Sequence, residues 1–160
     1  MTIKIPLTQG SFALIDEQDF VLVTKHRWFV CGQPSHLYAA TNVPGNTTKQ
    51  RKLYMHKLIL GVDGKATHGD HVNGDTLDNR RTNLRVATPS QNQYNRGISR
   101  NNNSGFKGVC YAPRGGKPWR ADIGFQGTRK FLGQFHTAEE AHAAYAKAAE
   151  ALHGEFARVV

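Results

Sequence analysis

Seventeen consecutive positions, Gly69 to Arg85, bring carboxylate, imidazole, amide and guanidinium side chains together in the run GDHVNGDTLDNRRTNLR. So few apolar residues leave no face to bury along a regular element, so the stretch from Thr67 to Asn83 is expected to be a loop. Asn73, Gly74, Asp75, Asp78 and Asn79 are turn formers that would shape it. In a chain of 160 residues, either one domain or two small ones fit, and each small one buries only a modest core.

Before the loop, short apolar stretches at 12–15, 20–23, 28–30 and 37–40 are separated by Gly, Pro, Asp and Asn and read as β-strands. From Tyr54 the spacing changes: Met55, Leu58 and Ile59 fit a short helix ending at Gly61. After the loop, residues 84–87 are strand-like. A marked helix start follows, with Thr88 as cap, Pro89 in the first turn and Gln91 completing a capping box; this helix carries Asn92 and Asn95. The stretch 97–105, including Asn101, Asn102, Asn103 and Ser104, has no apolar periodicity and reads as a linker. Beyond it, residues 106–111, 119–125 and 130–135 form three expected strands. A second capping box from Thr137 to Glu140 opens a helix running to about Leu152 and stopping at Gly154. Ala141, Ala144, Tyr145, Ala148 and Leu152 share one face of that helix, suited to close packing on a small sheet.

The expected fold class is therefore α+β in two parts. Residues 1–97 comprise a β-rich lead-in (1–54) and the chemistry-bearing core (55–97); residues 98–104 link them to 105–160, a three-stranded antiparallel sheet packed on one helix.

Charge narrows the partners. Lys and Arg total 21 against 12 Asp and Glu, a formal net charge of +9, which favours a polyanion through release of its condensed counterions. Two cysteines, Cys31 and Cys110, are too few for a disulfide framework or a cysteine-based zinc site and read as reduced thiols. The first ten residues lack a signal pattern, and no apolar run approaches the ~20 residues of a bilayer span, so a soluble cytoplasmic protein without a membrane partner is expected. No heptads or extended apolar patch point to a protein partner, and a monomer is expected.

The polar loop holds what phosphodiester hydrolysis requires: hard oxygen ligands for a metal, a base titrating near neutrality, and cations for phosphates. Asp70 would supply a carboxylate to Mg2+ or a similar ion. His71, its neighbour on the opposite face of an extended backbone, would deprotonate the attacking water. Arg80, Arg81 and Arg85 are candidate phosphate contacts. The readings of His56 and His68 as structural or site-lining remain open.

The run from Asp70 to Asp75, the run from Leu77 to Arg85, the residues Gln91 to Arg96 and the upstream Met55 to Gly61 together resemble the HNH endonuclease superfamily, in its phage and intron homing branch with a ββα-metal fold. That resemblance implies Asp70 and Asn92 as metal ligands, His71 as general base, and Asn83 as the residue that fixes the loop and orients His71. Asn92 stands where other members often carry His. An amide oxygen suits Mg2+, or Mn2+, better than Zn2+. The family implies a phage-borne, homing-type enzyme that nicks or cleaves double-stranded DNA in an infected or host bacterial cell; the expected monomer, with one active centre, favours nicking.

The second half is similar to the Apetala-type (ethylene-response-factor) DNA-binding domain. The match rests on Phe106 to Val109, Trp119 to Ile123, Phe131 to Phe135, Thr137 to Ala141, and Ala144 with Tyr145. It implies DNA contacts from Lys107, Arg114, Trp119, Arg120, Arg129 and Lys130; Lys107 occupies a position where the family often has Arg. Alternation puts Trp119, Ala121 and Ile123 on one face and Arg120 and Asp122 on the other. Lys49 to Lys52 would be a DNA-binding ribbon or a solvated charged hairpin. The competing function is a DNA-binding regulator with a decayed nuclease half, against which the intact Asp70, His71, Asn83 and Asn92 argue. RNA cleavage is disfavoured because the A-form major groove is too narrow for a sheet.

Overall fold

The computed structural model describes every residue except 35, 46–49, 64, 65, 115 and 160. Lys49 of the expected basic ribbon and the side chain of Arg114 lie outside the described residues. The chain is mixed α+β, with small antiparallel sheets and few helices, in two compact units, Met1–Pro89 and Ser90–Val160.

The first unit begins with an antiparallel pair, β1 (Thr2–Pro6) and β2 (Phe12–Asp16), in which Ile5 faces Ala13 and Ile3 faces Ile15. Period-two alternation turns Ile5, Ala13 and Ile15 into the core. Residues 20–23, expected as a strand, instead form a helical turn, α1 (Phe20–Val23). The backbone N–H and the hydroxyl of Thr24 both donate to the Phe20 carbonyl, and only Val23 of the four is buried. One inward residue per turn suits a helical period, so the apolar run misled the period-two reading.

A second sheet, β3 (Phe29–Gln33), β4 (His36–Pro44) and β5 (Gln50–Tyr54), is antiparallel in that order. It leads directly into α2 (Met55–Leu60), which ends at Gly61 in the left-handed region, φ 66°, with the Val62 N–H closing on the Lys57 carbonyl. The expected helix and its glycine stop are both present. α2 packs on a third antiparallel pair, β6 (His68–His71) and β7 (Leu84–Ala87), with Asp70 opposite Arg85 and His71 opposite Leu84. Ile5, Ile15, Val23, Trp28, Met55, Ile59 and Leu84 form the core, and the Trp28 indole N–H is satisfied by the Val23 carbonyl.

α3 (Pro89–Tyr94) starts at the last residue of the first unit and carries Asn92 in the second. In the segment expected as a linker, the Asn102 Oδ1 accepts from the N–H groups of Ser104 and Gly105. The Ser104 hydroxyl bonds the Phe106 and Val109 carbonyls, so polar side chains rather than apolar contacts hold this loop to the start of the sheet. The strands β8 (Val109–Arg114), β9 (Lys117–Phe125) and β10 (Thr128–Phe135) run antiparallel in the order β10-β9-β8. Their inner face covers α4 (Ala138–His153). Thr137 caps α4 by accepting from the Glu140 N–H, and Ala138, Ala141, Tyr145, Ala149 and His153 are its buried stripe. Among the described residues no helix is long and apolar enough to cross a membrane.

Candidate active site

β6 is extended through His68, Gly69, Asp70 and His71, and both Asp70 and His71 are buried, each about 5% exposed. The polar loop after them is held by its own side chains. Asn73 and Asp75 accept backbone N–H groups two residues ahead, as does Asp78 from Arg80. These are the Asx turns that the Asp- and Asn-rich sequence forecasts. Asn83 ties the loop across its base: its Oδ1 accepts from the Asn73 N–H at 2.9 Å and its Nδ2 donates to the Asp78 carbonyl at 2.8 Å, while its own carbonyl accepts from Val72.

The lead-in strands, which show no chemistry in their sequence, anchor this loop. The Leu14 N–H donates to the Leu77 carbonyl at 2.9 Å and the Asn79 N–H returns to the Leu14 carbonyl at 2.8 Å. The Thr76 hydroxyl donates to the Leu37 carbonyl. Arg81 clamps the buried carboxylate of Asp19 through Nε and Nη2, and its N–H donates to Asp16.

The His71 ring sits among aromatic rings. Its Nε2 faces the Asn79 Oδ1 at 3.4 Å, and the His56 ring lies edge-on at 4.9 Å between centroids. Tyr54 stacks on His56, and Tyr38 touches Tyr54, His56 and His71. Burial lowers the pKa of His71, against the opposing pull of the Asn79 bond and the carboxylates of Asp70, Asp75 and Asp78. The imidazole is thus neutral at neutral pH, the state a proton acceptor needs. His56 is pushed down to about 3, first by burial and then by the nearby His71 and Lys57.

Arg80 and Arg81 on the loop and Arg85 on β7 are each paired with a carboxylate. Arg80 holds Asp78 through two bonds of 2.8 and 2.7 Å and keeps that carboxyl below its usual range. Arg80 and Arg81 still expose 38% and 46% of their side chains, whereas Arg85, at 13%, directs its Nε at the Asp70 carboxylate at 2.8 Å. Asp70 and the amide of Asn92 are both hard oxygen donors. Among the described residues no group of three His, Cys, Asp or Glu side chains is gathered as a metal cage. A carboxylate oxygen such as that of Asp70 suits a hard divalent ion that retains several waters.

In the second unit, the outer face of the sheet carries Arg120, bonded to Asp122 through two contacts of 2.7 Å, with its guanidinium 5.0 Å from the ring of the exposed Phe131. Arg129 and Lys130 are exposed on β10. Trp119 is half-buried on the helix side, packed against the Val109, Ala121 and Ala141 cluster and edge-on to Tyr111. Lys107 is placed elsewhere than on that outer face: its ammonium donates to the carbonyls of Tyr94, Arg96 and Arg158 at 2.6, 2.6 and 2.9 Å. Burial, with the nearby Arg158, lowers its pKa to about 8.

One residue at the site had no distinguishing sequence signal, and one had an open reading. Asn79 looked like one turn former among several, yet it is 1% exposed and faces His71. His56, whose structural and site-lining readings were both open, is brought to the His71 ring only by the tertiary fold.

A family model described as HNH endonuclease matches residues 67–94, the segment spanning β6, the loop, β7 and α3. The chain is 30% identical over 154 residues to an uncharacterized HNH endonuclease of Acanthamoeba polyphaga mimivirus, covering 93% of this chain and 74% of that protein. It is 31% identical over 109 residues to Protein 3.8 of Escherichia phage T7, covering 68% of this chain and 88% of that protein. No solved structure matches the chain.

Proposed function

The chain belongs to the HNH endonuclease family, a family of nucleic-acid phosphodiester hydrolases, and on that premise we propose that it nicks double-stranded DNA in a reaction dependent on Mg2+ or Mn2+. The observation that carries this reading is the placement of a buried, neutral His71 beside the Asp70 carboxylate on β6, under a loop clamped by Asn83.

In this reading β6, β7 and α3 are the ββα-metal element. His71 accepts a proton from a water as that water's oxygen bonds to phosphorus and the bond to the 3′ oxygen breaks. Asn83 holds the loop closed so that Asn79, on the same loop, keeps its acceptor toward the His71 ring. Arg85 neutralises part of the Asp70 charge, which lets a carboxylate sit buried at this position. Asp70 and Asn92 would hold the ion, which supplies Lewis-acid stabilisation of charge on the scissile phosphate and the leaving oxygen. Arg80 and Arg81 retain enough exposure to meet phosphates while paired.

The Ser90–Val160 unit is, in this proposal, an Apetala-type reader whose outer sheet face meets the DNA through Arg120 and Arg129; Lys130, opposite Ile123 with its ammonium over the Phe125 ring, lies on the other face and is not part of that surface. Three antiparallel strands on one helix, with cations and an exposed Phe131 on the uncovered face, support that reading. The enzyme is proposed to act as a monomer, to have a homing role and to be phage-borne; the viral and phage sources of its relatives support the last of these. Supercoiled plasmid incubated with Mg2+ should relax to open circles, and EDTA should abolish the conversion. Gel-shift binding without cleavage in Mg2+, Mn2+ or both would instead favour a DNA-binding regulator.

A further inference from the structure

Building on the assignment of His71 as general base, we propose that His56, from a different element, is a positioning residue that holds the His71 ring in the orientation proton transfer requires. The His56 ring is 6% exposed and meets the His71 ring edge-on, at 4.9 Å and 74°. It is itself fixed from behind by Tyr54, stacked at 5.7 Å and 24°, and from the side by Tyr38 at 5.7 Å. His71 therefore rests on a ring that has little freedom to move. The contact to Asn79, at 3.4 Å, is at the long end for a hydrogen bond.

The backbone of β6 is adapted to this arrangement. A Cβ on Gly69 would stand 2.4 Å from the His56 Cδ2 and 3.2 Å from the Leu60 Cδ1. Only glycine two positions before His71 lets His56 descend far enough onto the strand to reach the His71 ring. α2 thus contributes more than core packing through Met55 and Ile59: its second residue reaches the reacting group from outside the family-matched segment 67–94.

The test compares His56→Ala, His56→Phe and Gly69→Ala with the wild type in Mg2+-dependent plasmid nicking, with DNA affinity measured in EDTA and folding checked by thermal melting. Misplacing a catalytic group by about 1 Å costs on the order of 100-fold in rate, so His56→Ala should lose ~10- to 100-fold in kcat with unchanged DNA affinity. His56→Phe, which restores an edge-on ring, should recover most of the loss. Gly69→Ala, which leaves the imidazole chemically intact but displaces it, should reproduce the loss. Independently of activity, the His71 ring resonances of the metal-free protein should shift or broaden in His56→Ala and return toward wild type in His56→Phe. A folded His56→Ala with wild-type kcat, or a His56→Phe as slow as His56→Ala at equal stability, overturns the proposal. Should His56→Ala not fold, a folded Gly69→Ala nicking at the wild-type rate overturns it equally. Failure of the base assignment is separately visible, as nicking that survives His71→Ala.

Discussion

Mild acid should destabilise the first unit through His56. The ring is neutral in the fold, with a pKa lowered from 6.5 to about 3, so between those values the unfolded chain binds a proton that the folded chain excludes. A depressed pKa contributes stability that is fully present above the unfolded value and is lost as pH falls toward the folded one. The slope is about 1.4 kcal/mol per pH unit for each such group, so lowering the pH from 7.5 to 5 removes about 2 kcal/mol through His56 alone. His56→Phe keeps a ring in the cluster and removes the titration. Wild-type stability should therefore fall by about 2 kcal/mol more than that of His56→Phe over this range. Urea unfolding between pH 7.5 and 5 measures this, followed by the fluorescence of the buried Trp28 in a Trp119→Phe background, so that only the first unit reports. Parallel pH dependences for the two proteins would refute a neutral, desolvated His56.

Perturbations at three further positions separate structural from reactive charge. Arg85→Met leaves Asp70 buried without its guanidinium, and removing one partner of such a pair costs about 3–5 kcal/mol. The melting temperature should drop sharply, and Arg85→Met with Asp70→Asn together should recover part of it. Lys107→Met should lower the stability of the second unit, because its three carbonyl acceptors lose a charged donor, yet leave the salt dependence of DNA binding unchanged. Arg129→Ala should do the reverse, reducing the slope of log affinity against log salt by about one while the melting temperature holds.

Much of this organisation is legible in the chain because local chemistry dictates it. The Asx turns at Asn73, Asp75 and Asp78, the glycine stop after α2, the Thr137 cap and the alternation of Trp119, Ala121 and Ile123 against Arg120 and Asp122 all depend on neighbours a few residues away. Long-range pairings leave no such trace. Nothing near Asp19 forecasts its ion pair with Arg81, 62 positions on, and nothing in the lead-in forecasts that Leu14 would anchor the reactive loop. Lys107 shows the same limit: beside Phe106 and Gly108 it resembles a nucleic-acid contact, yet Arg158, far along the chain, supplies one of its three acceptors. The short run 20–23 is ambiguous on periodicity alone, and tertiary burial of Val23 decides for a helical turn.

The most direct test of the reading is to measure nicking and binding together in His71→Ala. If His71 is the general base, Mg2+-dependent conversion of supercoiled plasmid should fall by about 100-fold or more, the contribution of a positioned base, while affinity for the same DNA stays at the wild-type value. Nicking that persists in a folded His71→Ala would contradict the account, because the proton would then be leaving the attacking water by another route.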